Sequence, residues 1–158
     1  MKKQIITISR EFGSGGHLVG KVLAEKMDVP YYDKSILDRI AEEKGYSVEM
    51  MEEDEKRAKN SFLYSLTTAF GSAGTGPDYI SINEKFFLAQ FDYIRRIAKE
   101  GSCVIVGRCA DYVLREMPFV TNVFIYADKQ QKFKRIVNEY GLSREDAEKG
   151  LRDVDKAR

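Results

Sequence analysis

The glycine-rich segment near the N-terminus has the residue types and spacing that phosphate binding requires. Residues 9–17 (Ser-Arg-Glu-Phe-Gly-Ser-Gly-Gly-His) follow an apolar, β-branched run and precede a segment with helical spacing. Backbone N–H groups at a helix start have no partner within the helix, the helix dipole adds positive charge there, and glycines let the backbone curl around an anion. We therefore predict an anion site rather than a flexible turn. Its predicted phosphate-contacting residues are Gly13, Ser14, Gly15, Gly16 and His17.

A lysine pattern that overlaps this segment is a weaker signal. Residues 15–21 fit G-x-x-x-x-G-K, but Val22 stands where that pattern requires Ser or Thr. Residues 18–21 should already lie inside the helix, which places Lys21 a turn or more beyond the phosphates. We therefore predict that Lys21 is a helix-surface residue. His17 is interpreted as capping or lining the helix start rather than acting as a base.

Two polar side chains follow other predicted strands. Asp33 comes after the run 29–32, and Arg108 follows Gly107 at the end of the run 102–106. Loops at the carboxyl ends of parallel strands carry ligand sites, and the arginine fork matches phosphate oxygens. Arg108 is therefore predicted to bind a ligand rather than to be plain surface. Asp33 either binds a ligand or caps a helix that starts near Lys34, and the two roles can coexist.

Alternating strands and helices must hold these residues in place. Apolar runs predict strands at 4–9, 29–32, 102–106 and 120–126, and the first two enclose a helix in a βαβ unit, which makes them parallel. The predicted fold class is α/β, a three-layer α/β/α sandwich on a mainly parallel sheet. The helix after the glycines is expected to turn one apolar face inward, formed by Leu18, Val19, Val22, Leu23 and Met27.

The segment between the second and third strands is predicted to be a large helical insertion. Residues 35–70 show helical spacing and include the charge run 49–59, which indicates a solvated helix face. Residues 71–79 are expected to form a flexible loop. A long helix over 81–100 follows and is ended by Gly101. Its predicted inward side chains are Ile82, Phe86, Phe87, Ile94 and Ile97.

The last part of the sequence predicts two capped helices. Asp128 is placed to cap a helix that bears Phe133, Ile136 and Val137 and is ended by Gly141. Residues 143–146 (Ser-Arg-Glu-Asp) have the form of a capping box that opens the last helix. The charged end of that helix, residues 152–158, is either a solvated face with internal ion pairs or part of a site.

Composition narrows the class of protein. The 158 residues contain 26 Lys and Arg against 25 Asp and Glu, so a net charge of +1 gives no reason to expect general nucleic-acid binding. No apolar run approaches the length of a membrane helix or forms a signal peptide, and we expect a cytoplasmic protein. Cys103 and Cys109 predict buried thiols in a reducing compartment. Because the one histidine, His17, is far in sequence from both cysteines, no resident metal site is predicted.

Four segments of the sequence resemble the cytidylate kinase-like proteins, a branch of the P-loop nucleoside monophosphate kinases. The segments are Ile8 to Gly16 (Ile-Ser-Arg-Glu-Phe-Gly-Ser-Gly-Gly), Pro30 to Asp33 (Pro-Tyr-Tyr-Asp), Val106 to Arg108 (Val-Gly-Arg) and Asp155 to Arg158 (Asp-Lys-Ala-Arg). The resemblance covers nearly the whole chain as a single kinase-like domain. Its most specific parts are the first 33 residues and the Gly107-Arg108 pair.

The resemblance implies an enzyme that uses ATP and Mg²⁺ to phosphorylate a nucleoside monophosphate, with CMP or dCMP expected first. The glycine loop would hold the donor phosphates. Asp33, Tyr32 and the helical insertion 34–100 would form the acceptor pocket, and Arg108 would contact the acceptor phosphate. The partners would be nucleotides rather than nucleic acid or membrane, and the protein a monomer or homodimer.

The resemblance also implies a closing lid. The core would comprise residues 1–33 and 101–141, and the helix 142–158 would close over the site. Its candidate lid arginines are Arg144, Arg152 and Arg158. Kinases of this type place a further strand and helix after the lid, so either the natural chain continues beyond this sequence or the fold is trimmed. We expect the first.

The loop departs from ordinary cytidylate kinases. In an ungapped comparison the phosphate-loop lysine falls at Gly16, its hydroxyl partner falls near His17 or Leu18, and the first loop glycine becomes Arg10. The usual charge on the β- and γ-phosphates is missing, and Arg10 or Lys21 would have to replace it. The departure bears on catalytic rate more than on nucleotide binding, and it leaves an acceptor other than a cytidine nucleotide open.

Two other functions compete with the kinase. One is a nucleotide-binding regulatory protein that has no transfer activity, which the glycine at position 16 favours. The other is a dinucleotide-binding domain, because Gly13-x-Gly15 opens a helix and Asp33 follows Gly13 by twenty residues. Leu18 stands at the third glycine position of that fingerprint, which makes the match partial.

Overall fold

The computed structural model describes residues 3–45 and 82–153. Its elements are β1 (Ile5–Arg10), α1 (Gly16–Met27), β2 (Tyr31–Tyr32), α2 (Ile36–Lys44), α3 (Ile82–Glu100), β3 (Cys103–Val106), α4 (Ala110–Val113), β4 (Val120–Ile125), α5 (Lys129–Asn138) and α6 (Arg144–Asp153). The predicted charge run 49–59, the predicted loop 71–79, the motif 155–158 and Arg158 lie outside the described residues.

The strands form a parallel sheet in the order β2-β3-β1-β4. Ile8 in β1 lies beside Val106 of β3 and Val123 of β4. Residues 5–8 of β1 and all of β3 are buried, as parallel strands covered on both faces require. Helix α1 packs on β1, β2 and β3, and α4 packs on β1. The predicted α/β sandwich on a mainly parallel sheet is confirmed, with strand ends shifted by one or two residues.

The inward face of α1 differs from the prediction. Its buried residues are Gly16, Gly20 and Ala24, which are spaced four apart. Part of the predicted face is wrong, because three of its residues are exposed: Leu18, Val19 and Val22. The other two pack partly buried against the core, namely Leu23 and Met27.

The short distance between α1 and the sheet explains why small residues occupy the inner face. A methyl group on Gly20 would have its carbon 2.5 Å from Val106 Cγ2 and 3.3 Å from Ile8 Cδ1. The helix therefore lies so close to the sheet that only small residues fit on its inner face. A count of apolar residues ignores glycine and so placed Leu18, Val19 and Val22 on the inner face, where the structure has Gly16, Gly20 and Ala24.

The C-terminal helices begin as the sequence predicts. The carboxylate of Asp128 accepts a hydrogen bond from the Gln131 N–H at 2.9 Å, which caps α5. Ser143 Oγ donates to Asp146 Oδ2 at 2.7 Å and accepts from the Asp146 N–H at 3.1 Å, which caps α6. Both helices thus start at fixed positions after their loops.

The described chain divides into two compact units. One comprises residues 3–34 and 95–153 and contains the sheet, and the other comprises residues 35–45 and 82–94. Buried apolar side chains of the second unit are Ile36, Leu37, Ile40 and Ala41 of α2 with Phe86, Tyr93 and Ile94 of α3. From Arg95 onward α3 belongs to the first unit, which buries Ile97 and Ala98. Among the helices described, none is long and apolar enough to cross a membrane.

A pair of alanine variants tests whether Gly20, rather than Leu18, faces the sheet. Gly20→Ala should lower the free energy of unfolding by up to about 2 kcal/mol, because overpacking costs about 1–3 kcal/mol and about 1 kcal/mol of helix propensity is gained. Leu18→Ala, on the exposed face, should change it by less than about 0.5 kcal/mol. Urea denaturation of both variants measures the difference. A larger loss for Leu18→Ala than for Gly20→Ala would show that the helix faces the other way.

Candidate phosphate-binding site

The loop between β1 and α1 depends on two left-handed glycines. Gly13 has φ 75° and Gly15, at the N-cap of α1, has φ 85°, a region that side chains rarely adopt. The Ser14 hydroxyl donates to the Glu11 carbonyl at 2.8 Å. The Val19 N–H donates to the Gly15 carbonyl, so the N–H groups that precede it have no partner within the helix. The loop therefore presents the start of a helix in the way that anion sites do.

Helix α5 packs directly on this loop. A methyl group on Gly13 would have its carbon 2.7 Å from Ile136 Cδ1, and one on Gly15 would have it 3.2 Å from Arg135 Cζ. Arg135 Nη1 donates to the Gly13 carbonyl at 2.8 Å. Gly13 is thus required by close packing as well as by its backbone conformation, whereas a side chain on Gly15 would be strained mainly by its backbone conformation.

An ion pair also ties the loop to α5. Lys132 Nζ lies 3.0 Å from Glu11 Oε2, and both side chains are largely shielded, with 11% and 31% exposed. The Ala127 N–H approaches the same carboxylate oxygen at 3.5 Å. Sequence reasoning missed Glu11, Lys132 and Arg135. The available signal was the spacing of Lys132, Arg135 and Ile136 on one face of a helix.

Arg10 fills the space that a side chain at position 16 would need. A methyl group on Gly16 would have its carbon 2.6 Å from Arg10 Cβ and 2.9 Å from Arg10 Cγ. The guanidinium continues to the end of β3, where a methyl group on Gly107 would collide with Arg10 Nη1. The charge of Arg10 therefore lies beside the turn that carries Arg108.

The turn after β3 holds three consecutive residues in the left-handed region. They are Gly107 at φ 75°, Arg108 at φ 60° and Cys109 at φ 48°. Such a conformation costs about 1–3 kcal/mol at each non-glycine residue. The Gly107 N–H donates to the Ile8 carbonyl at 2.9 Å, which fixes the turn to β1. Residues with strained backbone conformations cluster at ligand sites. This turn carries Arg108, which the sequence predicts to bind a ligand.

Three side chains meet where β2 ends and α1 begins. The Tyr31 hydroxyl lies 2.8 Å from His17 Nδ1, and His17 Nδ1 lies 3.4 Å from Asp33 Oδ2. Burial first, and then the Asp33 carboxylate, raise the pKa of Tyr31 to about 12, although Arg10 opposes the rise. Tyr31 therefore stays a hydrogen-bond donor at neutral pH, beside half-buried Tyr32.

The sequence expectation for the start of α2 needs adjustment, and the described lid candidates are exposed. Helix α2 begins at Ile36 with Ser35 at its N-cap position, two residues later than the predicted start near Lys34. Arg144 and Arg152 lie in the first and last turns of α6 with exposed side chains. The loop reaches α6 through Phe12, since a methyl group on Gly150 would have its carbon 2.7 Å from Phe12 Cε1.

The surroundings of both cysteines favour the neutral thiol. Burial raises the pKa of Cys103 and of Cys109 to about 11, and Asp111 adds to the rise at Cys109. Both thiols are therefore protonated at neutral pH. Cys103 is buried as predicted, whereas Cys109 is only partly buried. Within residues 3–45 and 82–153, no cluster of three or more His, Cys, Asp or Glu side chains can hold a metal ion.

The shifted phenol gives a prediction at alkaline pH. Because the folded pKa of Tyr31 exceeds its ordinary value of 10, its contribution to stability is complete below pH 10 and is lost as pH rises towards 12. Phenolate absorbance should show a late component from Tyr31. Tyr31→Phe should remove that component and flatten the fall in stability above pH 10. Tyr126→Phe, which removes a largely exposed ring, should leave both unchanged.

The packing of Arg10 on Gly16 gives a second prediction. Gly16→Ala should lower the free energy of unfolding by about 1–3 kcal/mol, because its methyl group overlaps Arg10. In an Arg10→Gly background the same change should cost at least about 1 kcal/mol less, since the overlapping atoms are gone. A double-mutant cycle by urea denaturation measures this coupling. Equal costs in both backgrounds would contradict the assignment.

Comparisons with known proteins show which family the chain belongs to. The sequence profile of the cytidylate kinase-like family matches residues 5–158. A crystal structure of an uncharacterized protein from Eubacterium ventriosum is similar to this chain at 31% identity and a TM-score of 0.66, over 98% of this chain and 72% of that one. No curated protein matches. Since the family match includes the glycine loop, the Arg108 turn and α6, the chain belongs to the cytidylate kinase-like family.

Proposed function

We propose that the protein is a nucleotide kinase that transfers the γ-phosphoryl group of ATP to a nucleoside monophosphate, with CMP or dCMP as the first candidates. The observation that carries the proposal is the glycine loop at the start of α1, with the Arg108 turn beside it at the end of β3. Two phosphate sites at neighbouring strand ends are what phosphoryl transfer between nucleotides requires.

The donor side is the glycine loop. The N–H groups at the start of α1 would bind the phosphates of ATP, with Gly13, Ser14, Gly15, Gly16 and His17 as the contacting residues. Mg²⁺ enters with ATP as its complex and neutralises part of the phosphate charge. The close packing of α5 keeps the loop in one conformation, which reduces the reorganisation that binding would otherwise require.

The acceptor side is the edge formed by the ends of β2 and β3. Arg108 would bind the acceptor phosphate, with the Arg10 guanidinium beside the same turn. Tyr32 and Asp33 would contact the nucleoside, and the hydrogen-bonded set of Tyr31, His17 and Asp33 would hold that carboxylate in place. A monophosphate is already an anionic nucleophile, so the site needs positive charge and alignment more than a general base.

The lid and the insertion complete the proposal. Helix α6 would close over the donor with Arg144 and Arg152, and Arg158 would join them from beyond the described residues. Closure would exclude water and so suppress hydrolysis of ATP. The segment 34–100 would supply the rest of the acceptor pocket within a single kinase-like domain. We expect the protein to act in the cytoplasm, as a monomer or homodimer.

A second candidate is a nucleotide-binding regulator without transfer activity. The observation that favours it is Gly16, whose position leaves no room for the usual lysine because Arg10 occupies that space. Restoring the lysine is therefore a poor test, since Gly16→Lys would disturb packing before it adds charge. The dinucleotide-binding alternative is dropped, because the chain belongs to the cytidylate kinase-like family.

The kinase proposal predicts monophosphate-dependent formation of ADP. ATP and Mg²⁺ are incubated with the full chain and with CMP, dCMP, UMP, AMP or GMP in turn, with ATP alone as the blank. One of them should raise the rate well above the blank. Arg108→Met should then lower kcat/KM about 100-fold, because it removes a charged contact to the phosphate. Arg115→Met, which removes an exposed arginine stacked on Tyr112, should leave it unchanged.

A negative result in this assay would separate the kinase from the nucleotide-binding regulator. If ATP binds and no monophosphate raises the rate, the regulator moves ahead of the kinase. If ATP does not bind to folded protein, both nucleotide proposals are wrong.

A further inference from the structure

The glycine loop lacks the lysine that usually holds donor phosphates, so another cation must supply that charge if the loop binds a triphosphate. Four described cations come into question, from their places around the loop and in the first half of α1: Arg10, Lys21, Lys132 and Arg135. Their contacts distinguish them.

Arg10 and Lys21 are directed elsewhere. The stem of Arg10 crosses Gly16, and its guanidinium lies at Gly107, at the end of β3. Lys21 is exposed beyond the first turn of α1, where it lines a shallow cleft with Asp28 and Tyr31. Sequence analysis gave Arg10 and Lys21 as possible replacements for the missing lysine. In the structure, the guanidinium of Arg10 lies at Gly107 and Lys21 lines the cleft beside α1.

Lys132 is close to the loop but already paired. Its ammonium group lies 3.0 Å from the Glu11 carboxylate, and the residue is only 9% exposed. The positive charge of Lys132 is therefore balanced within the fold. The pair anchors α5 to the loop and positions the residue one turn further along that helix, which is Arg135.

Arg135 contacts the loop itself. Its Nη1 donates to the Gly13 carbonyl at 2.8 Å, and its Cζ, Nε and Nη1 lie within 3.4 Å of where a methyl carbon on Gly15 would be. Nε faces Glu139 Oε2 one turn along the helix at 3.6 Å, so the side chain is held from both ends. Among the residues described, Nη2 has no partner, and 26% of the side chain remains exposed.

We propose that Arg135 binds the phosphate chain of the nucleoside triphosphate in the glycine loop and supplies the charge that a lysine at position 16 would provide. The inference rests on the proposed donor function of the loop and adds a residue to it. An arginine can do this from a neighbouring helix because its planar fork donates to a loop carbonyl and to a phosphate oxygen at once. A lysine at position 16 would have to reach the phosphates from within α1.

The test is the affinity of the full chain for ATP, measured by isothermal titration calorimetry at low and high ionic strength. Arg135→Gln should raise the Kd about 10-fold to 100-fold at low salt, as loss of a charge-assisted phosphate contact does. The difference in Kd between the variant and the wild-type chain should narrow at high salt, because salt screens the charge that the variant has lost. Lys134→Gln, an exposed cation on the same helix, is the control and should change the Kd by less than about twofold.

Arg135→Lys provides a second variant should Arg135→Gln not fold. It keeps the charge and loses the fork, and we expect the Kd for ATP to rise several-fold. An unchanged Kd in whichever variant folds would overturn the inference. An equal rise at both ionic strengths would also overturn it, because that result indicates a structural role through the Gly13 carbonyl. Absence of ATP binding by the wild-type chain would instead defeat the proposed donor function, and the inference with it.

Discussion

The close packing of α1 on the sheet is the constraint on which the candidate site depends. Gly16, Gly20 and Ala24 bring the helix against β3 and β1, with no room for a methyl group at Gly20. A helix with larger side chains on that face would stand further from the sheet. The start of that helix would then lie further from the end of β1 and from residues 107–109. The small residues thus determine where the unpaired N–H groups of the helix lie relative to Arg108.

The same lack of space links positions 10 and 16. Two large side chains do not fit there, because Arg10 Cβ already lies where a side chain on Gly16 would begin. A small residue at position 10 would leave room for a lysine at position 16, and this chain has the reverse arrangement. The space that a side chain at position 16 would need is thus filled by the stem of Arg10, whose guanidinium lies at the end of β3.

Local sequence signals predicted the fold well and the contacts of the site less well. Strands β1 and β3 are continuous apolar runs, and Asp128 and Ser143 cap helices within three residues of themselves, so neither needs tertiary information. The inner face of α1 was missed because its glycines carry no apolar signal. The bond between Lys132 and Glu11 joins residues 121 positions apart, and spacing rules reach only a few residues.

The strained backbone at Arg108 and Cys109 bears on how positive charge is placed at the candidate site. The chain has a net charge of only +1, so positive potential at the site must come from placement rather than from an excess of cations. The carboxylate of Glu11 at the loop is balanced by Lys132, which leaves Arg135 next to the glycines. Two non-glycine residues in the left-handed region destabilise the fold, and packing elsewhere must offset that cost. A turn of that kind holds the Arg108 backbone in one conformation, and such preorganisation is what the proposed phosphoryl transfer would need for electrostatic stabilisation.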